Sequence, residues 1–145
     1  MAGKSATPFL PTLCLPLLLA IPDAFAAELR VTIDNITSDQ GELLVAIVAS
    51  EAAFNGSGTP TLSVKLPPRE ERLFFSTNAL PRGTYGIRVM HDENGNGEMD
   101  SNLVGMPTEG WGFSNNAMGN FGPPGWQDVR FELTDEIEQV ISLNH

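Results

Sequence analysis

Apolar residues recur at every second position through most of this chain. In Leu29-Arg30-Val31-Thr32-Ile33-Asp34 they alternate with polar ones, the spacing of a strand that buries one face. No window longer than a turn or two carries the spacing of a helix, so an all-β fold is expected. Glu42 to Ala49 (ELLVAIVA) is apolar on both faces and predicts a central strand. Ser50 to Phe54 predicts one helical turn with Ser50 as its cap. Further strands are predicted at Thr61 to Leu66, Glu71 to Thr77, Thr84 to Met90, Asp128 to Leu133 and Glu136 to Leu143, with Pro, Gly, Asn and Asp between them. About seven short strands punctuated in this way read as an antiparallel β-sandwich, a small barrel being the alternative. Pro81-x-Gly83 makes a turn before a strand that turns Tyr85, Ile87 and Val89 to the core.

The first residues follow a different rule. Lys4 precedes the apolar run Phe9 to Ile21, and Ala24 and Ala26 supply an A-x-A site, so residues 1–26 are expected to be a signal peptide cleaved after Ala26. The run is interrupted by prolines and short of the roughly 20 apolar residues of a bilayer span. Cys14 lies within it and follows Leu13, which reads as signal rather than lipid anchor. Residues 27–145 would then form a single cysteine-free β-sandwich domain in the periplasm or outside the cell, with no transmembrane segment. Cleavage removes one basic and one acidic residue, Lys4 and Asp23, and leaves the net charge at −10. That charge argues against nucleic acid and anionic membranes as partners and weakly favours cations.

His91-Asp-Glu-Asn-Gly-Asn-Gly-Glu-Met-Asp100 is neither helix nor strand in composition. Its spacing, D-x-N-x-N-G-x-x-D, places oxygen side chains at alternate positions of a curled loop, as a hard cation such as calcium requires. The expected ligands are Asp92, Asn94, Asn96, the Glu98 carbonyl and Asp100, with Gly97 making the turn. The twelfth position is Leu103 where such loops carry a bidentate glutamate, leaving Glu93, Glu109 or Asp128 as further candidates. The bland alternative is a solvated Asn-Gly turn. His91, alone at a strand end, reads as a packing or surface residue.

Asn102 to Trp126 (NLVGMPTEGWGFSNNAMGNFGPPGW) is too long for an ordinary connection. Its aromatics argue for order, either as a flap over one end of the sandwich or as a pocket for a glycan, peptide or envelope protein. Trp111, Phe113, Asn115, Asn116, Asn120 and Trp126 are the candidate contacts. Trp111 and Trp126 exposed around a concavity would favour the pocket, and both buried against Ile87 or Phe131 would favour the flap. If the Trp111 ring is buried, Trp111→Ala is expected to cost about 3 to 5 kcal/mol.

Catalysis finds few candidates. Outside the signal segment the chain has only His91 and the C-terminal His145, and Ser114 carries no nucleophile-elbow pattern. The segments Leu80 to Asp100, Gly105 to Asn116 and Phe121 to Pro124 resemble the DUF2141 family of uncharacterised bacterial exported proteins, across Leu29 to Leu143. That resemblance implies no activity and no catalytic residues. The Pro-x-Gly-Thr-Tyr strand is also similar to transthyretin-like and carboxypeptidase-regulatory-like modules, which implies an Ig-like or transthyretin-like sandwich.

Overall fold

The computed structural model describes residues 2–3 and 27–145. The expected signal segment, with Cys14 and the cleavage site, lies outside the described residues except for Ala2 and Gly3. In chain order the elements are β1 (Glu28–Ile36), β2 (Glu42–Val48), α1 (Glu51–Phe54), β3 (Leu62–Leu66), β4 (Glu71–Thr77), β5 (Gly83–Asp92), β6 (Gly110–Phe113), a 3-10 turn (Ser114–Asn116), α2 (Trp126–Val129), β7 (Phe131–Leu133) and β8 (Glu136–Ser142). None of the described helices is long and apolar enough to cross a membrane.

Two sheets form. One is ordered β4-β1-β8, and the other β3-β2-β5-β6 with β7 paired to the start of β5. The sandwich expected from the alternation is thus present, with eight strands among the described residues. Leu29, Val31 and Ile33 of β1 face Leu43, Val45 and Ile47 of β2 and Tyr85, Ile87 and Val89 of β5 across one core. Each such side chain contributes about 1.5 to 3 kcal/mol on leaving water. Ser50 caps α1 as expected, its Oγ accepting from the Ala53 amide at 3.2 Å.

Three details differ from the sequence reading. β1 and β8 run parallel, from Glu28 beside Glu136 to Asp34 beside Ser142, so the sandwich is not wholly antiparallel. The strand expected at Asp128 to Leu133 is divided into α2 and the short β7, because Trp126 and Val129 sit one helical turn apart and both bury. The long Asn102–Trp126 segment contains a strand of its own, β6, paired with Arg88 to His91 of β5. A Cβ on Gly112 would lie 2.6 Å from Ile141 Cγ2, and one on Gly110 would lie 2.9 Å from the His145 ring. Glycine is what lets β6 approach the other sheet, and its frequency there is what disguised the strand. Trp111 of β6 and Asn144 exchange backbone hydrogen bonds of 3.0 and 2.7 Å. This lacing joins the edges of the two sheets without making a barrel.

Tyr85, the only tyrosine in the chain, donates its hydroxyl to the Pro81 carbonyl at 2.8 Å and is buried. Burial raises its pKa above 10.0. Since the folded value exceeds the unfolded one, the resulting stability is complete below the unfolded value and is lost as pH rises through the folded one. Ultraviolet titration of the phenolate, read at this one residue, is expected to lie above that of free tyrosine and to return to it in denaturant. A native titration identical to the denatured one would show that the ring is solvated.

Candidate functional site

β5 ends at Asp92, and the chain there turns back on itself around a carboxylate. Asp92 is 2% exposed. Its Oδ1 accepts from the amides of Gly95 (2.8 Å) and Asn96 (3.1 Å), and its Oδ2 from that of Gly97 (2.8 Å). Three backbone donors converge on one charge, each bond being stronger than a neutral one. Such curvature needs left-handed backbone at Gly95 (φ 74°) and Gly97 (φ 78°), which glycine adopts without steric cost. Asn94 and Asn96 tighten it by accepting the amides of Asn96 and Glu98 at 3.0 and 2.8 Å.

Three of the expected ion ligands meet. The Asp100 carboxylate accepts from the side-chain amides of both Asn94 and Asn96, the latter at 3.1 and 3.2 Å. Asp92 is engaged instead with the loop backbone, and Glu98 is exposed. Among the proposed supplements, buried Glu109 holds the loop at both ends, accepting from the amides of Glu93 (3.0 Å) and Asp100 (3.2 Å). Asp128 lies on α2 and makes no hydrogen bond to the loop. Leu103 points wholly into solvent. Among the described residues no group of three or more His, Cys, Asp or Glu side chains gathers to hold a metal.

The neighbouring His91 is fully buried, as a packing residue would be. Its Nε2 donates to the Gln40 carbonyl at 2.8 Å, and Nδ1 finds no hydrogen-bond partner among the described residues, Glu93 Oε1 standing 3.9 Å away. Ser114 is equally committed: its Oγ accepts from the Ile87 amide (2.9 Å) and donates to the Val129 carbonyl (2.6 Å).

The aromatic segment divides in two. Trp126 is buried with Phe54, Val48 and Val129, and it covers Gly86, where a Cβ would lie 2.8 Å from the indole. Asn115 and Asn116, expected as ligand contacts, hydrogen-bond to backbone. Asn115 donates to the carbonyls of Asp128 and Arg130, each at 3.0 Å, while Asn116 accepts from the Ser142 amide at 2.8 Å. Asn120 is exposed and makes no hydrogen bond to a described residue. Trp111 and Phe113 are only half-buried, with ring centroids 5.7 Å apart.

These two rings line a concavity of about 750 Å³ on the outer face of the β3-β2-β5-β6 sheet. Strand register builds it. Leu44, Met90 and Trp111 stand side by side in one row across β2, β5 and β6, and Ala46, Arg88 and Phe113 in the next. Phe54 and Pro123 close one side, and Gly97 and Met99 of the Asp92 loop close another. The volume is within the roughly 300 to 1,000 Å³ usual for small-molecule sites. Leu44, Met90, Arg88 and Phe54 were not read as site residues from the sequence. The signal was the apolar outward face of ELLVAIVA, which needed a cover.

The family model described as "Uncharacterized protein conserved in bacteria (DUF2141)" matches residues 31–141. The chain belongs to the DUF2141 family. Comparison with curated proteins and with solved structures returned no match. The family description names no activity, so function has to be argued from the groove and the loop.

The division of the aromatic segment makes a measurable distinction. Trp126→Ala is expected to lower unfolding free energy by about 3 to 5 kcal/mol, the range for removing a buried aromatic. Trp111→Ala should cost less, because the ring is only half-buried and the condition for the full cost is not met. Denaturant unfolding of the two variants checks this, and equal losses would show that Trp111 is packed as tightly as Trp126.

Proposed function

We propose that this protein is an exported, non-catalytic binding module, periplasmic or secreted, whose Asp92–Asp100 loop binds calcium and whose outer-face groove takes a ligand or an envelope partner. The observation carrying this reading is the shared wall: Gly97 and Met99 belong to the loop and line the groove. An ion in one would stiffen the other.

Calcium chemistry suits the convergence of Asn94, Asn96 and Asp100. Calcium takes six to eight oxygens, and the two amides can present oxygen in place of nitrogen by turning about their terminal bonds, giving up the bonds they accept from the Asn96 and Glu98 amides. Asp92 or the Glu98 carbonyl, with water, would supply others. With few carboxylates the affinity belongs in the range of extracellular modules, Kd about 10⁻⁴ to 10⁻³ M. The absence of catalysis is supported by the commitment of Ser114 and His91 to structural hydrogen bonds. Glycans and peptides are both compatible with half-exposed Trp111 and Phe113. The buried Trp126 favours a second reading for the other half of the segment, a structural flap in an envelope component that binds no ion.

Thermal unfolding in chelator and across a calcium series, with magnesium as control, tests the ion. The midpoint is expected to rise with calcium as RT ln(1 + [L]/Kd). Asp100→Asn should flatten that rise while leaving the midpoint in chelator nearly unchanged, since its carboxylate is bonded only to two surface amides. Asp92→Asn should lower the midpoint even in chelator, because three backbone donors lose a charged acceptor. A flat calcium series in the parent protein would remove the ion and leave the structural reading.

A further inference from the structure

Charge is distributed unevenly around the groove. The chain has 18 acidic and 8 basic residues, yet no Asp or Glu lines the concavity, whereas Arg88 and Lys65 do. Lys65 is exposed and paired with Glu42 at 3.0 Å. Arg88 is different. Arg30, Arg72 and Arg82 each have a carboxylate partner, and the unpaired Arg69 and Arg130 are exposed. Among the described residues, Arg88 is the only partly buried cation without an ion pair. It donates one hydrogen bond, from Nη1 to the Phe54 carbonyl at 2.9 Å, and its guanidinium carbon lies 5.9 Å from the Phe54 ring centroid.

That one bond holds the fork in place and leaves four of its five N–H donors without an acceptor among the described residues. A half-desolvated guanidinium among apolar side chains is unfavourable until an anion meets it, and its planar fork matches a carboxylate in two-point contact. Apart from Asn55 and Ser63 the remaining lining is aliphatic and aromatic, with Leu44, Met90, Trp111 and Phe113 prominent in it.

We infer that the groove binds a small amphiphilic carboxylate, its acid group on Arg88 and its apolar body along Leu44, Met90 and Trp111. This rests on the reading of the groove as a binding site and adds the class of ligand. The acidic exterior repels anions at long range, so such a ligand is held by short contacts inside the concavity rather than drawn by the field of the whole molecule.

The test is displacement of 1-anilinonaphthalene-8-sulfonate, itself an anion on an aromatic body, by decanoate, decanol and decyltrimethylammonium at neutral pH and fixed ionic strength. Decanoate is expected to displace the probe at about tenfold lower concentration than decanol, the value of one charge-assisted hydrogen bond, and the ammonium is expected to be weakest. Arg88→Gln should erase the preference of decanoate over decanol, and Arg88→Lys should keep part of it. Trp111→Ala should weaken decanoate and decanol alike. The comparison of chains on the parent protein needs no variant, so a folding defect in Arg88→Gln would leave the decision intact. Equal displacement by decanoate and decanol overturns the carboxylate inference while the groove stands. No binding of the probe or any competitor to the parent overturns both.

Discussion

The buried carboxylate of Asp92 sets the position of everything that follows β5. A charge with 2% exposure is tolerable only when donors surround it, and the donors here are the amides of Gly95, Asn96 and Gly97. Meeting them forces the chain into a tight left-handed curl, which delivers Asn94, Asn96 and Asp100 to one point. Glu109 repeats the device from the far side of the segment by accepting from Glu93 and Asp100. Two carboxylates thus hold a loop with almost no apolar content of its own, and they fix the wall that it lends to the groove.

The outer face of the larger sheet shows how a small sandwich makes a site without a second domain. One part is sealed by Trp126, Phe54 and Val129 packed over Gly86. The rest is left with half-buried side chains in register across β2, β5 and β6. The boundary is Phe54, whose ring packs beside Trp126 at 6.1 Å and also lines the concavity. Core and groove therefore share a side chain, so the groove is built on a rigid element.

Most of the scaffold was legible because alternation and burial obey the same period. β1, β2, the Ser50-capped turn and the inward row Tyr85, Ile87 and Val89 all follow from it. β6 was hidden because glycines read as loop, although here they permit close approach of the two sheets. Asn115 and Asn116 read as ligand contacts because an amide in a loop looks the same whether it serves a ligand or the backbone, and only the fold brings the backbone of Asp128, Arg130 and Ser142 to them. Arg88 escaped notice for a related reason: a polar residue alternating in a strand reads as solvent-facing, and nothing local shows that Phe54 will roof it. Parallel pairing of β1 with β8 is a long-range choice that neither strand encodes.

That pairing carries a kinetic consequence. β1 finds β4 by an ordinary antiparallel contact, but its other edge is completed only by β8, which enters the sheet after the chain has traversed both layers. Closing so long a loop costs entropy before any contact is made, and folds dominated by separations of this kind form in milliseconds to seconds rather than microseconds. Until β8 docks, the edge of β1 is open, with Leu29, Val31 and Ile33 behind it. The interval before that closure is when this chain is most exposed to pairing with another copy of itself.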